Sequence, residues 1–216
     1  MTASELEAIE PWNGRDPIVA WIDPGGVERR YLRRTSAEKL RFWLSGLLPP
    51  KMLHGGDWDR RLGSRAAHPT EALLEDLYRA DGVPERTDLY ARLLQAAQAG
   101  QPRRRRGTVL ADEATIQAFF VDYVSLFERM RAEGYRRGVG KDEPGVAIAR
   151  DGEIVKTANG NHRFAIARLL GLAPIPVEVH FIHPRWYQAT PAGPDRMRRA
   201  VARAIAVSTE GASAGG

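Results

Sequence analysis

Two short apolar runs, Gly145 to Ala149 (GVAIA) and Glu153 to Thr157 (EIVKT), flank Arg150-Asp151-Gly152. Asp-Gly supplies the positive φ angles of a tight turn, so the pattern predicts a β-hairpin. The next residues tighten the constraint. Asn159-Gly160-Asn161-His162-Arg163 leads into a helical stretch, Asn161 to Leu170, closed by Gly171, and Ile175 to Ile182 (IPVEVHFI) then alternates as a strand. A chain that places hairpin, helix and strand in immediate succession must lay that helix on a sheet.

The remaining segments are mixed. Ile18 to Ile22 and Val27 to Leu32 read as strands around the turn Asp23-Pro24-Gly25-Gly26. Thr35 to Glu38 matches a capping box ahead of a short helix from Ser36 to about Leu44, and Pro49-Pro50 breaks the chain. Thr70 to Arg79 and Asp88 to Ala99 read as helices, the second capped by Thr87. In the long stretch Asp112 to Glu133, Ile116, Phe119, Phe120, Tyr123, Phe127 and Met130 recur mostly at steps of three and four, forming one apolar stripe that Gly134 terminates. Asp195 to Val207 predicts a basic terminal helix. Ser208 to Gly216 reads as a disordered tail. The expectation is a single α+β domain over residues 1–216 with a helical insertion at about 69–134.

The turn carries the chemistry. A helix N-terminus presents unpaired N–H groups and a partial positive charge, which suits a phosphate. Gly160 lets backbone approach a ligand closely. Asn161 is the expected cap, and His162 and Arg163 lie in the first helical turn as added donors. The guanidinium of Arg163 offers a planar fork for phosphate oxygens. Lys156, just before the turn, could help neutralise phosphate, but reads first as a solvent-facing strand lysine. Asp57-Trp58-Asp59 is a second candidate. In an extended segment its two carboxylates face one side, where they could hold Mg²⁺ against phosphates or supply a base for phosphoryl transfer.

The chain has no cysteine, which excludes disulfides, thiolate metal sites and a Cys nucleophile. The acidic start MTASELEAIEPWNGRD has no apolar run, and no window reaches the roughly 18 apolar residues of a membrane span. These features predict a cytoplasmic protein with no membrane partner. Net charge is +5, and the densest basic run is Arg103 to Arg106. That run reads as a solvated loop or as a polyanion contact, without aromatics for base stacking.

Residues 145–186 resemble the ParB/sulfiredoxin-like fold. The resemblance rests on the hairpin, on Gly160-Asn161-His162-Arg163 at the helix start, on Gly171-Leu172, and on Ile175-Pro176-Val177. Gly55-Gly56-Asp57-Trp58-Asp59, Glu133-Gly134-Tyr135 and His183-Pro184-Arg185-Trp186 extend it to roughly residues 45–187, toward an uncharacterised ParB-like branch. The resemblance implies nucleotide phosphates bound at the helix N-terminus. The family includes ATP-dependent sulfinic acid reductases, CTP-binding DNA-partition clamps and free-serine kinases.

Asn159 stands where kinase-like members carry Asp, and Asn161 stands where sulfinic acid reductases carry their reactive Cys. The expectation is therefore a protein that binds ATP or another nucleoside triphosphate through Asn159, Gly160, Asn161, His162 and Arg163. Asp57, Asp59 and His162 are the candidate catalytic groups, Mg²⁺ is expected on the two aspartates, and the phosphate acceptor is a small molecule. The alternative is a non-catalytic nucleotide- or DNA-binding regulator.

Overall fold

The structure is a computed structural model, and it describes residues 7–14, 17–32, 52–105, 107–140 and 142–213. The capping box at Thr35, the short helix after it, Pro49-Pro50 and Arg106 lie outside the described residues.

The described elements run in this order: β1 (Ile18–Ile22), β2 (Arg29–Tyr31), β3 (Leu62–Ser64), α1 (Pro69–Arg79), α2 (Asp88–Gln98), β4 (Arg103–Arg105), β5 (Thr108–Leu110), α3 (Glu113–Glu133), β6 (Gly145–Ile148), β7 (Ile154–Lys156), α4 (Asn161–Leu169), β8 (Ile175–Ile182), α5 (Pro184–Gln188) and α6 (Arg196–Ser213). Mixed α+β architecture is therefore observed. One six-stranded sheet has the order β1-β8-β6-β7-β2-β3, and β4 and β5 form a separate ribbon. The predicted hairpin pairs β6 with β7 antiparallel, Val146 opposite Lys156 and Ile148 opposite Ile154. The β8 strand returns beside β6 in parallel and so runs antiparallel to β7, the strand from which α4 leads to it.

Alternation along the hairpin divides the interior. Val146, Ile148 and Ile154 face the main core, where they meet Phe164 and Ile166 of α4, Leu74 and Leu77 of α1, and the Met197 to Ala204 stripe of α6. Ala147, Ala149 and Val155 face the other side and pack with Trp58 and Phe181. The helix α3 has two roles. Tyr123, Phe127 and Met130 belong to the main core, whereas Ile116 and Phe120 form a satellite core with Tyr90, Leu93 and Leu110. The stripe read from sequence is thus shared between two clusters. Asp112 caps α3 by accepting from the Thr115 N–H, 2.8 Å.

Three local expectations are corrected. The basic run is not a loop: Arg103 to Arg105 form β4, because Gly107 (φ 86°) closes a hairpin that pairs them with Thr108 to Leu110. The expected tail is helical as far as Ser213, and the Ser208 and Thr209 hydroxyls donate back to the carbonyls of Ala204 and Ala206. Asp57-Trp58-Asp59 is not extended: Trp58–Arg60 is a 3₁₀ turn, so the two carboxylates do not share a strand face. No described helix is long and apolar enough to cross a membrane.

Candidate functional site

A cleft of about 490 Å³ opens over the predicted turn. Ala158 to Arg163 form one wall, the C-terminal end of α3 (Leu126, Arg129, Met130, Glu133) the second, and Gly134, Tyr135, Arg136, Val139, Gly140 and Asp142 the third. Ligand pockets of this size accommodate a small molecule.

The turn is built by close backbone contact. Gly160 has φ 63°, and a Cβ there would sit 2.6 Å from Pro144 Cα and N. Only glycine satisfies both conditions. Gly160, not Asn161, occupies the N-cap position of α4, and no side chain caps that helix end. The Phe164 N–H makes the first helical bond, to the Gly160 carbonyl at 3.0 Å. The positive end of α4 therefore meets the cleft through bare backbone. The C-terminal end of α3 brings partial negative charge to the opposite wall. Exposed Arg129 and Arg136 stand beside it, Arg136 paired with Glu133 at 2.8 Å.

Arg163 is brought to the cleft but is committed to the protein. It is buried, 3.4 Å from the Glu143 carboxylate, and donates to the carbonyls of Asp142 and Arg136. Glu143 also accepts from the Tyr135 hydroxyl at 2.6 Å and from the Gly138 N–H at 2.7 Å. Burial, reinforced by the adjacent Glu143 carboxylate, pushes the Tyr135 phenol well above its ordinary value. The knot of Arg163, Glu143 and Tyr135 fastens the third wall down. Sequence inspection missed Glu143. Glu133-Gly134-Tyr135 is the nearest sequence signal to it. His162 packs edge-on against Tyr123, ring centroids 5.3 Å apart.

Lys156 is the largest departure from expectation. It is 2% exposed, and its ammonium donates to the carbonyls of Gly145 (3.2 Å), Thr157 (3.0 Å) and Asn159. Strand alternation puts it on the same face as Val146 and Ile154, beneath α4, where it lies 5.3 Å from the Phe164 ring centre. Burial lowers its pKa from 10.5 to about 7, and Arg30 adds to the effect while Glu71 opposes it. All three ammonium donors hold the base of the hairpin and the start of the turn.

Asp57 and Asp59 are brought together with Arg150, not with the turn. Arg150 donates to Asp59 Oδ1 at 2.6 Å, to Asp59 Oδ2 at 2.7 Å, and to Asp57 Oδ1 at 3.0 Å. These hydrogen bonds hold the Asp57 carboxyl below its usual range. Burial alone would raise the Asp59 carboxyl, but Arg150 outweighs it and the net shift is downward. Arg150 sits at the tip of the hairpin, whereas the Asn159 carbonyl accepts from the Gly145 N–H at its base. Five residues of strand, about 16 Å, separate the two. The pair therefore does not fit a Mg²⁺ ion serving the cleft: the guanidinium occupies the position a cation would take.

His183 caps α5, its Nδ1 accepting from the Arg185 N–H at 3.1 Å, while His180 Nδ1 faces the Thr157 hydroxyl at 3.1 Å.

The chain matches no family, no curated protein and no solved structure.

Proposed function

We propose that the cleft binds a nucleotide, with its phosphates against the N-terminus of α4 and its base against Leu126, Met130 and Val139. The observation that carries this reading is the uncapped helix end opening into a 490 Å³ cleft. The likeness of residues 145–186 to the ParB/sulfiredoxin-like fold supports it, because that family holds phosphates at the corresponding turn. Phosphate contacts come from backbone N–H groups of the turn, with Arg129 and Arg136 adding positive charge at the rim. Arg163 acts from behind, by fixing the loop. A base seated beside the C-terminal end of α3, where the helix leaves carbonyls without intrahelical partners, would be favoured if it carries an exocyclic amine. Transfer of phosphate to a small acceptor would draw its base from His162 or Asp142, which both line the cleft, since Asp57 and Asp59 lie at the far end of the hairpin.

Calorimetric titration with ATP, CTP and UTP in the presence of Mg²⁺ tests the reading. Asn161→Asp is the informative variant. A carboxylate in the first turn stabilises the helix yet repels phosphate. The expected result is binding of ATP and CTP ahead of UTP, and at least a tenfold loss of affinity in Asn161→Asp with undiminished thermal stability. Absence of binding at millimolar nucleotide, or equal affinity in the variant, overturns it.

A further inference from the structure

The β4–β5 ribbon contributes no residue to the cleft wall. Arg103, Arg104 and Arg105 are all exposed, as is Arg92 on α2, and together they line a groove of about 700 Å³ between α2 and β4. Their neighbours across the groove include Gln95 and Gln101. Ten arginines elsewhere in the chain, Arg150 at the hairpin tip and Arg163 at the cleft among them, each have a carboxylate within 4.0 Å. Among the described residues, Arg92, Arg103, Arg104 and Arg105 have none. Arg104 donates to the Gly107 carbonyl at 3.0 Å, which leaves its charge uncompensated.

We infer that the β4–β5 ribbon is a docking element for the phosphate backbone of double-stranded nucleic acid. Arg103 pairs across the ribbon with Leu110, which is buried in the satellite core, so one face of the ribbon packs on the helices and the three arginines meet Arg92 along a single groove. A partner that neutralises all four must lay a row of anions along that groove. The phosphate backbone of a duplex supplies such a row, with one charge per about 1.7 Å of helix axis. Guanidinium forks suit those oxygens better than ammonium groups. An anionic membrane surface fits less well, because the sole large exposed apolar side chain on the ribbon that could enter it is Val109, 39% exposed. Without aromatic residues in the groove there is no platform for unpaired bases. The contact is therefore to backbone, and it tolerates sequence.

Fluorescence anisotropy with a labelled duplex of about 20 base pairs and the full chain tests this. Four neutralised phosphates give a slope of log affinity against log salt of about −3.6, or about a 100-fold loss between 50 and 200 mM salt. The variant carrying Arg103→Gln, Arg104→Gln and Arg105→Gln should retain its circular dichroism spectrum and melting temperature. Its loss over the same salt range should fall to about fourfold, the value for Arg92 alone. The inference is overturned if the wild type does not bind at 50 mM salt, or if the variant keeps the wild-type salt slope. It is also overturned if anionic phospholipid vesicles displace the duplex as well as unlabelled duplex does at equal phosphate concentration.

Discussion

Replacing Lys156 by methionine removes one charge from a site that is 2% exposed and keeps most of the side-chain length. In the folded chain the ammonium titrates at about 7 rather than 10.5. The native state thus releases this proton while the unfolded chain still holds it. Between those two values the unfolded state binds more protons, so stability rises with pH by up to about 1.4 kcal/mol per pH unit. From pH 6 to pH 9 this amounts to about 2.6 kcal/mol for the wild type, because the slope sets in only near 7. The carbonyls of Gly145, Thr157 and Asn159 partly compensate the buried charge, and Glu71 also favours it while Arg30 opposes it. Urea denaturation of wild type and Lys156→Met at half-unit steps from pH 6 to pH 9 measures the effect as a difference, which cancels every other titrating group. The stability of the wild type relative to the variant should rise by about 2 to 3 kcal/mol across that range. A difference that stays flat would refute the reasoning. It would mean that the three carbonyls hold the ammonium as well as water does.

Gly160→Ala forces a Cβ to 2.6 Å from Pro144 at a φ of 63°. It should cost more than about 2 kcal/mol in denaturant unfolding and lower nucleotide affinity with it; a neutral result would show that the turn is not held against Pro144. Arg163→Ala leaves Glu143 buried without its cation and should destabilise by about 3 to 5 kcal/mol, with Glu143→Gln in the same chain restoring part of the loss; an effect below 1 kcal/mol would remove the loop-fastening role. Asp59→Ala strips Arg150 of its best-buried partner, whose side chain is 2% exposed. It should cost about 3 kcal/mol while nucleotide titration of the folded variant matches wild type. Loss of binding without loss of stability would place Asp59 in the site after all.

The elements that sequence reading located well have local causes. The hairpin follows from Asp151-Gly152, α2 from its Thr87 cap, and α3 from its apolar period together with Asp112 and Gly134. The turn at Gly160 was legible for the same reason, and the cleft does form over it. What sequence could not supply is pairing across distance. Lys156 looks like a surface lysine until α4 is laid over its face. Arg163 looks like a ligand donor until Glu143, twenty residues away, claims it. Asp57 and Asp59 suggest a metal pair until Arg150 enters from the hairpin tip. Each is a charged group whose role depends on a partner from a different element, and neither spacing nor propensity encodes such partners. The arginine run erred for another reason: alternation of three identical residues carries no strand signal, so only the turn at Gly107 could have revealed it.

The division of α3 between two cores has a practical meaning for anyone who trims or grafts this chain. The segment from 69 to 134 interrupts the sheet in sequence, and it invites removal as a decoration. Its last helix, 21 residues long, is a rod of about 31 Å whose far half seals the satellite cluster and whose near half supplies Tyr123, Phe127 and Met130 to the main interior. Excising the segment would leave a hole beneath α4 and take away one wall of the cleft. The insertion and the sheet are one cooperative unit, and a shortened chain made without it should fail to fold rather than fold without a ligand.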